Sequence, residues 1–252
     1  MNIALTIVIP AFNESKRITK TLNDIDNYIN KISKPNLFQI IVVDDGSTDS
    51  TSNVVNDWIQ NKSKNKKCFQ LISHMPNKGK GYAVNQGFLK ASNSLVLYTD
   101  ADGASPIEEV EKLLFWINEG CDVAIGSRIL KGKDAKVTMS FTRRFTGRIF
   151  HLVLSSLGLA GLKDTQCGFK LFKTYVAKKL AENQKCLNYS FDIEYLFLLK
   201  EFDYKVKEVP INWCHVEGSK VNIFKDSIKM FIEVLKIRFT YKYNITDPGA
   251  KR

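Results

Sequence analysis

The amino-acid sequence predicts an α/β protein, a mostly parallel sheet with helices on both faces. Three observations carry this. Short runs dense in Val, Ile and Leu alternate with segments of helical spacing through the first half of the chain. The alternation repeats often enough to build a sheet from successive strand–helix units. Polar and charged residues fall just after the strand runs, where such sheets bind their ligands.

The elements follow in order. Ala4–Pro10 is a buried strand, and Ser15–Ile32 carries Ile18, Leu22, Ile25 and Ile29 on one helical face, with Ser15 placed to cap it. Phe38–Val43 is a second strand, followed by Asp44, Asp45, Gly46 and Ser47 and a helix over Thr51–Gln60, which Ser47 or Thr48 is placed to cap. Cys68–Ser73 is a third strand, then a glycine-rich turn from Asn77 to Gly81 and a helix to Ala91. Leu95–Thr99 is a fourth strand, a helix runs from near Pro106 to Glu119, and Asp122–Gly126 is a fifth strand. The second half is less regular. Helices are predicted over Phe141–Leu157, Phe191–Phe202 and Phe224–Tyr241, and strands over Gly168–Lys173 and Lys205–Val209. The domain reading is one unit over residues 1–222 with an appended basic helix and tail over 223–252.

Composition narrows the function classes. The 252 residues are 44% hydrophobic, enough for a full core, and the net charge of +11 favours an anionic partner or a solvated basic surface. The five cysteines form no metal or CxxC spacing and read as buried structural thiols in a reducing compartment. No secretory signal and no membrane-spanning run is found, so a soluble or peripheral cytoplasmic protein is expected. Nucleic-acid binding is not expected: no RNA-binding aromatic signature, zinc spacing or helix-turn-helix accompanies the charge.

The chemistry-bearing residues cluster at strand ends. Asp100 and Asp102, just past the fourth strand, can hold a hard cation such as Mg²⁺ or Mn²⁺ against a diphosphate. Each could equally be a turn residue, but Glu14, Asp44, Asp45 and Arg128 are expected on the same edge. Asp44 or Asp45 can accept from a nucleobase or a ribose hydroxyl, and Asp49 reads as a cap or turn residue. Pro10 and Glu14 would line the same pocket. The Asn77–Gly81 turn, with Lys78, suggests a phosphate cradle without the Walker spacing, or simply a tight turn. Arg128, Arg143 and Arg144 suit bidentate binding of a phosphate, and for a hydroxyl acceptor Asp192 or Asp164 would be the base. In the last helix Phe224, Ile228, Phe231, Ile232, Leu235 and Phe239 share a face flanked by lysines, which would lie in a membrane interface or pack on the core.

VIPAFNE, VVDDGSTDST, NKGKGYAVNQG, YTDADGASP and IGSR, in this order, resemble the inverting family 2 glycosyltransferases of GT-A, Rossmann-like fold. DTQCGFKLF, FDIE, VPINW and EGSK extend the resemblance to the dolichyl- and polyprenyl-phosphate hexosyltransferases, above all the β-glucosyltransferases. The resemblance implies that Pro10, Glu14 and Asp45 contact the nucleoside and that Asp100 and Asp102 hold metal and donor diphosphate. It further implies that Arg128, with Arg143 or Arg144, binds the acceptor phosphate and that Ser219 and Lys220 close over the phosphates. The related mannosyltransferases often carry Gln where this chain has Ala104, and an Arg in the region that here reads Cys214–Glu217. Both departures point to UDP-glucose over GDP-mannose. The resemblance implies a polyprenyl phosphate acceptor, a saccharide being the alternative, and the expected place is the cytoplasmic face of a membrane. The eukaryotic glucosyl enzymes bear an N-terminal membrane helix that is absent from this sequence.

Overall fold

The computed structural model describes residues 4–31, 37–132, 137–138, 162–216, 233 and 237. Seven strands form one sheet: β1 (Leu5–Ala11), β2 (Phe38–Asp45), β3 (Phe69–His74), β4 (Leu95–Thr99), β5 (Val123–Ser127), β7 (Phe169–Lys173) and β8 (Val206–Pro210), in the order β3-β2-β1-β4-β7-β5-β8. Two short strands, β6 (Val137–Thr138) and β9 (Trp213–Cys214), pair in parallel apart from it. Within the main sheet β1 runs parallel to β2 and β4, β2 to β3, and β5 to β8, while β7 runs antiparallel to both β4 and β5. The carboxyl ends of β1, β2, β4, β5 and β8 therefore share one edge, and the amino end of β7 joins them there.

Side chains alternate along each strand, so β1 sends Leu5, Ile7 and Ile9 to one face and Val8 to the other. The first face packs on α1 (Ile18–Asn30), α2 (Thr51–Asn61) and α4 (Val110–Asn118) through Leu22, Ile25, Trp58 and Leu113. The second packs on α3 (Lys80–Lys90), α5 (Thr174–Asn183) and α6 (Phe191–Glu201) through Val84, Phe88, Leu180 and Tyr195. Burying one such side chain contributes about 1.5–3 kcal/mol, so each helix is held by its apolar stripe rather than by intrinsic propensity.

Several expectations need correction. Ser15 does not cap α1, which begins at Ile18; its hydroxyl donates to Asp49 Oδ2 at 2.7 Å. Neither Ser47 nor Thr48 caps α2: the residue before the helix is Ser50, which makes no side-chain capping bond, and Asp49 holds the turn into it by accepting the Thr51 amide at 2.9 Å. The helix α5 was not foreseen, although Val176, Ala177, Leu180 and Ala181 carry a helical apolar spacing. Of the five cysteines Cys167 is buried, Cys214 is exposed and the other three are intermediate, so the uniform picture of buried thiols does not hold. The helix expected over 141–157 and the apolar stripe named on the last helix lie outside the described residues. Residues 233 and 237 are helical, and Ile237 packs into the second core cluster. Among the described residues, no helix is long and apolar enough to cross a membrane.

Candidate active site

Asp100 and Asp102 stand on the turn that leaves β4. The Asp100 amide donates to the Gly168 carbonyl at 3.1 Å, which ties this turn to the segment entering β7. A Cβ on Gly168 would lie 2.0 Å from Asp100 Oδ2, so the carboxylate lies directly over the glycine. Lys80, the first residue of α3, brings Nζ to 2.7 Å from Asp100 Oδ1, and the Tyr98 hydroxyl donates to the same oxygen at 3.0 Å. Burial works against ionising Asp100, but the Lys80 charge together with the hydrogen bonds from Lys80 and Tyr98 holds the carboxyl below its usual range. For Asp102, burial and then the Asp100 charge push the carboxyl above it. Asp102 Oδ1 accepts the Ala104 amide at 3.0 Å, and among the described residues Asp102 forms no ion pair.

Two crowded carboxylates, one of them without a counter-ion, fit a small divalent cation, and their hard oxygens suit Mg²⁺ or Mn²⁺. Among the described residues no third acidic, His or Cys ligand converges with them, so diphosphate oxygens and water would complete the shell.

The lysine of the glycine-rich turn that reaches this pair is Lys80 rather than Lys78. The Lys78 amide donates to Asp45 Oδ1 at 2.9 Å, and its Nζ lies 4.6 Å from the centre of the Tyr82 ring. Nor do Asp44 and Asp45 point their carboxylates at an open pocket. Asp45 Oδ1 accepts the Lys78 amide and lies 2.7 Å from His74 Nε2; its Oδ2 accepts Asn77 Nδ2 and the Gly79 amide, each at 2.8 Å. Asp44 Oδ1 accepts the Ser47 amide at 3.1 Å as well as the Ser47 hydroxyl, and Oδ2 accepts the Ser52 hydroxyl. Asp44 thus binds its own loop, and Asp45 binds the Asn77–Gly79 turn of the next crossover. Gly46 makes the turn between them possible: its φ is +69°, and a Cβ there would lie 2.5 Å from the Asn77 amide nitrogen.

Asn13 latches the end of β1 onto this turn. Its φ of 55° is left-handed, its amide donates to Ser47 Oγ at 2.8 Å, and its Oδ1 accepts the amides of Thr48 and Asp49. Beside it Glu14 pairs with Arg17, whose Nη2 donates to Glu14 Oε1 at 2.8 Å. The Glu14 carboxylate does most to raise the Arg17 pKa, with smaller contributions from Asp102 and Asp100, which places a cation not foreseen in the sequence near the carboxylate pair.

Arg128 follows β5 and meets Asp164 in a two-point clamp. Nε donates to Oδ2 and Nη2 to Oδ1, each at 2.7 Å, and the Arg128 amide donates to Oδ2 at 2.8 Å. Burial pushes the Asp164 carboxyl up, but the Arg128 charge together with the side-chain and backbone hydrogen bonds from Arg128 holds it below the usual range. The guanidinium also lies 5.7 Å from the centre of the Trp213 ring. Trp213 belongs to β9, which is tied to the Asp100 turn where the Cys214 amide donates to the Ala104 carbonyl at 2.9 Å. Asp192, in the first turn of α6, is buried and paired with Lys170 of β7, which is 2% exposed. Burial pushes the Asp192 carboxyl up despite that pairing. Cys167, between Asp164 and Gly168, is no nucleophile at neutral pH, because burial pushes its thiol up to about 12.

Of the residues foreseen, Pro10, Glu14, Asp44, Asp45, Lys78, Asp100, Asp102 and Arg128 lie at the binding edge, and Asp192 is linked to it through Lys170. Arg143, Arg144, Ser219 and Lys220 lie outside the described residues. Lys80, Arg17, Lys170 and Trp213 were missed. A signal existed for Lys80, since a lysine at the first position of a helix after a glycine turn faces the strand ends.

Comparison with known proteins is consistent with this geometry. The family described as glycosyl transferase family 2 matches residues 6–181. A dolichyl-phosphate beta-glucosyltransferase of Dictyostelium discoideum is 34% identical over 97% of this chain and 76% of its own length. One from Saccharomyces cerevisiae is 36% identical over 99% of this chain and 78% of its own. Among solved structures, glucosyl-3-phosphoglycerate synthase from Mycobacterium tuberculosis, in complex with Mn²⁺, UDP-glucose and phosphoglyceric acid, superposes with a TM-score of 0.69 at 18% identity, covering 98% of this chain and 82% of that one. At that identity the likeness concerns the fold.

Proposed function

The chain belongs to glycosyl transferase family 2, and from that premise we propose that it transfers glucose from UDP-glucose, with inversion, to the phosphate of dolichol or a related polyprenol. The observation that carries this reading is the meeting of Asp100, Asp102, Lys80 and the clamped Arg128 at one sheet edge. The likeness to dolichyl-phosphate beta-glucosyltransferases along nearly the whole chain supports it.

In this reading the GT-A-like sheet edge holds the donor across its middle. Pro10 and Glu14 face the nucleoside, Asp44 and Asp45 shape its pocket by holding their loops, and Lys78 adds positive charge at that end. Asp100 and Asp102 would hold Mg²⁺ or Mn²⁺, which when bound supplies charge against the departing nucleotide. Lys80 is placed to share that charge with Asp100. Arg128, with Arg143 or Arg144 and with Ser219 and Lys220, would receive the acceptor phosphate. A phosphate monoester has a second pKa of about 6 and is already largely ionised, so no general base has to deprotonate it. The protein's task is to aim one phosphate oxygen at the anomeric carbon, in line with and opposite to the leaving UDP, and that single displacement inverts the centre. The basic segment 223–252 would attach residues 1–222 to the cytoplasmic face of a membrane.

The test is transfer from labelled UDP-glucose and GDP-mannose to a short polyprenyl phosphate, with Mn²⁺ or Mg²⁺ and with EDTA. Metal-dependent glucosyl lipid from UDP-glucose is expected. Mannosyl lipid would overturn the donor, and transfer to a saccharide alone would overturn the acceptor.

A further inference from the structure

Glu208 sits on β8, the edge strand, opposite Ile125 of β5. Its carboxylate accepts three neutral donors. Oε1 takes the Ser127 hydroxyl at 2.6 Å and the Asp164 amide at 2.8 Å; Oε2 takes the Lys163 amide at 2.9 Å. Among the described residues it meets no cation. A partly buried carboxylate held only by neutral groups fixes geometry, since each of those donors has its position set by the same two oxygens.

Those positions matter because of what they carry. The Asp164 amide belongs to the residue whose side chain clamps Arg128 through Nε and Nη2. Ser127 immediately precedes Arg128, and its Oγ also accepts the amides of Ile129 and Leu130 at 3.3 and 3.1 Å. Glu208 thus joins the loop leaving β5 to the segment entering β7, and both strands of that junction end on Arg128. Trp213, five residues further along the same chain segment, lies against the guanidinium.

We propose that Glu208 is a positioning residue for the acceptor anion: through Ser127 and Asp164 it sets the plane in which Arg128 presents its free N–H groups. This rests on the reading of Arg128 as the acceptor-phosphate ligand. A planar guanidinium discriminates by angle, so a tilt of its plane weakens phosphate binding and leaves the donor side of the site untouched. Glu208 acts only through others and touches no substrate.

The experiment uses the full chain in detergent, with a short polyprenyl phosphate as acceptor. Glu208→Ala should raise the acceptor KM about 10-fold, the scale of one lost charge-assisted hydrogen bond. The dissociation constant for UDP-glucose with metal should stay within about twofold, because none of the three groups bonded to the Glu208 carboxylate belongs to the donor-binding residues. Glu208→Gln should fall between, since its one remaining carbonyl can keep the Ser127 and Asp164 donors but not the Lys163 amide; it carries the test if the alanine variant does not fold. Arg128→Lys alone and combined with Glu208→Ala closes a double-mutant cycle. If Glu208 works through Arg128, the combined effect on KM is far less than the product of the two. Fully multiplicative effects, or a lowered melting temperature with unchanged acceptor KM, would overturn the proposal and leave Glu208 a loop fastener. An unchanged acceptor KM in Arg128→Lys and Arg128→Ala would instead overturn the reading of Arg128, and this inference with it.

Discussion

Gly168→Ala is the sharpest perturbation the site allows, because it adds one methyl group beneath the Asp100 carboxylate. The new Cβ would lie 2.0 Å from Oδ2, 2.3 Å from Cγ and 2.6 Å from Oδ1. Ordinary contact is about 3.5 Å, so something must move by roughly 1.5 Å. Gly168 does not have a positive φ, and alanine therefore brings no backbone strain of its own. The two backbones are joined by the bond from the Asp100 amide to the Gly168 carbonyl, so the part that yields is the Asp100 side chain. Turning it away breaks the contact with Lys80 and the bond from Tyr98. The stability cost is that of overpacking, about 1–3 kcal/mol. The lost ion pair adds little, since both side chains are about a third exposed and screened by water. The cost in function is larger, because a displacement of about 1 Å in a reacting constellation can lower the rate by about 100-fold. Melting curves should show a drop of a few degrees, about 2–4 °C for each kcal/mol in a chain of this size. Glucosyl transfer titrated with Mn²⁺ should show a turnover loss near 100-fold and a raised metal requirement. A variant with wild-type turnover and metal dependence would refute the placement of Asp100 as a functional ligand.

Three further outcomes follow from the same geometry. Asp102→Asn should abolish metal-dependent transfer while the melting temperature holds or rises, because burial and the Asp100 charge already disfavour the ionised form; retained activity would count against the metal site. Asp164 is held below its usual range in the fold, so it stabilises the protein above its unfolded pKa of about 3.9, and that stabilisation is lost as pH falls through its lower folded value. Denaturant unfolding from pH 6 down to pH 2.5 should therefore show the wild type losing its advantage over Asp164→Asn in the acid range, and parallel curves would refute the assignment. Asp192→Asn strands the buried Lys170 ammonium, which should cost about 3–5 kcal/mol in chemical unfolding. Transfer to a phosphate acceptor should nevertheless survive per folded molecule, and a complete loss of kcat would make Asp192 a base and the acceptor a hydroxyl.

What could be read from the sequence was set by range. Ile40–Val43 is a β-branched run of full burial, and Ile18, Leu22, Ile25 and Ile29 repeat at helical spacing, so β2 and α1 announce themselves within a few residues. The position of the acidic clusters at the strand ends was equally legible, because a parallel sheet places all those ends on one edge. The direction of β7 was not legible: Phe169–Lys173 has the same local pattern in either sense, and only its partners β4 and β5 decide it. That reversal brings Asp164 and Gly168 to the binding edge, since they precede an antiparallel strand where the other site residues follow parallel ones.

Side-chain direction was the other thing local sequence withheld. Asp44, Asp45, Asp100 and Asp102 all sit at strand ends and look alike in a motif. Asp45 turns inward because the amides of Lys78 and Gly79, more than thirty residues away, converge on it. Asp100 stays at the edge because Gly168, 68 residues on, leaves room above its Cα and Lys80 supplies the charge. The difference between an aspartate that builds its loop and one that is offered to a ligand lies in the donors that reach it first. In a parallel sheet those donors come from neighbouring crossovers, so the chemistry of a strand-end carboxylate is decided by residues a whole strand–helix unit away.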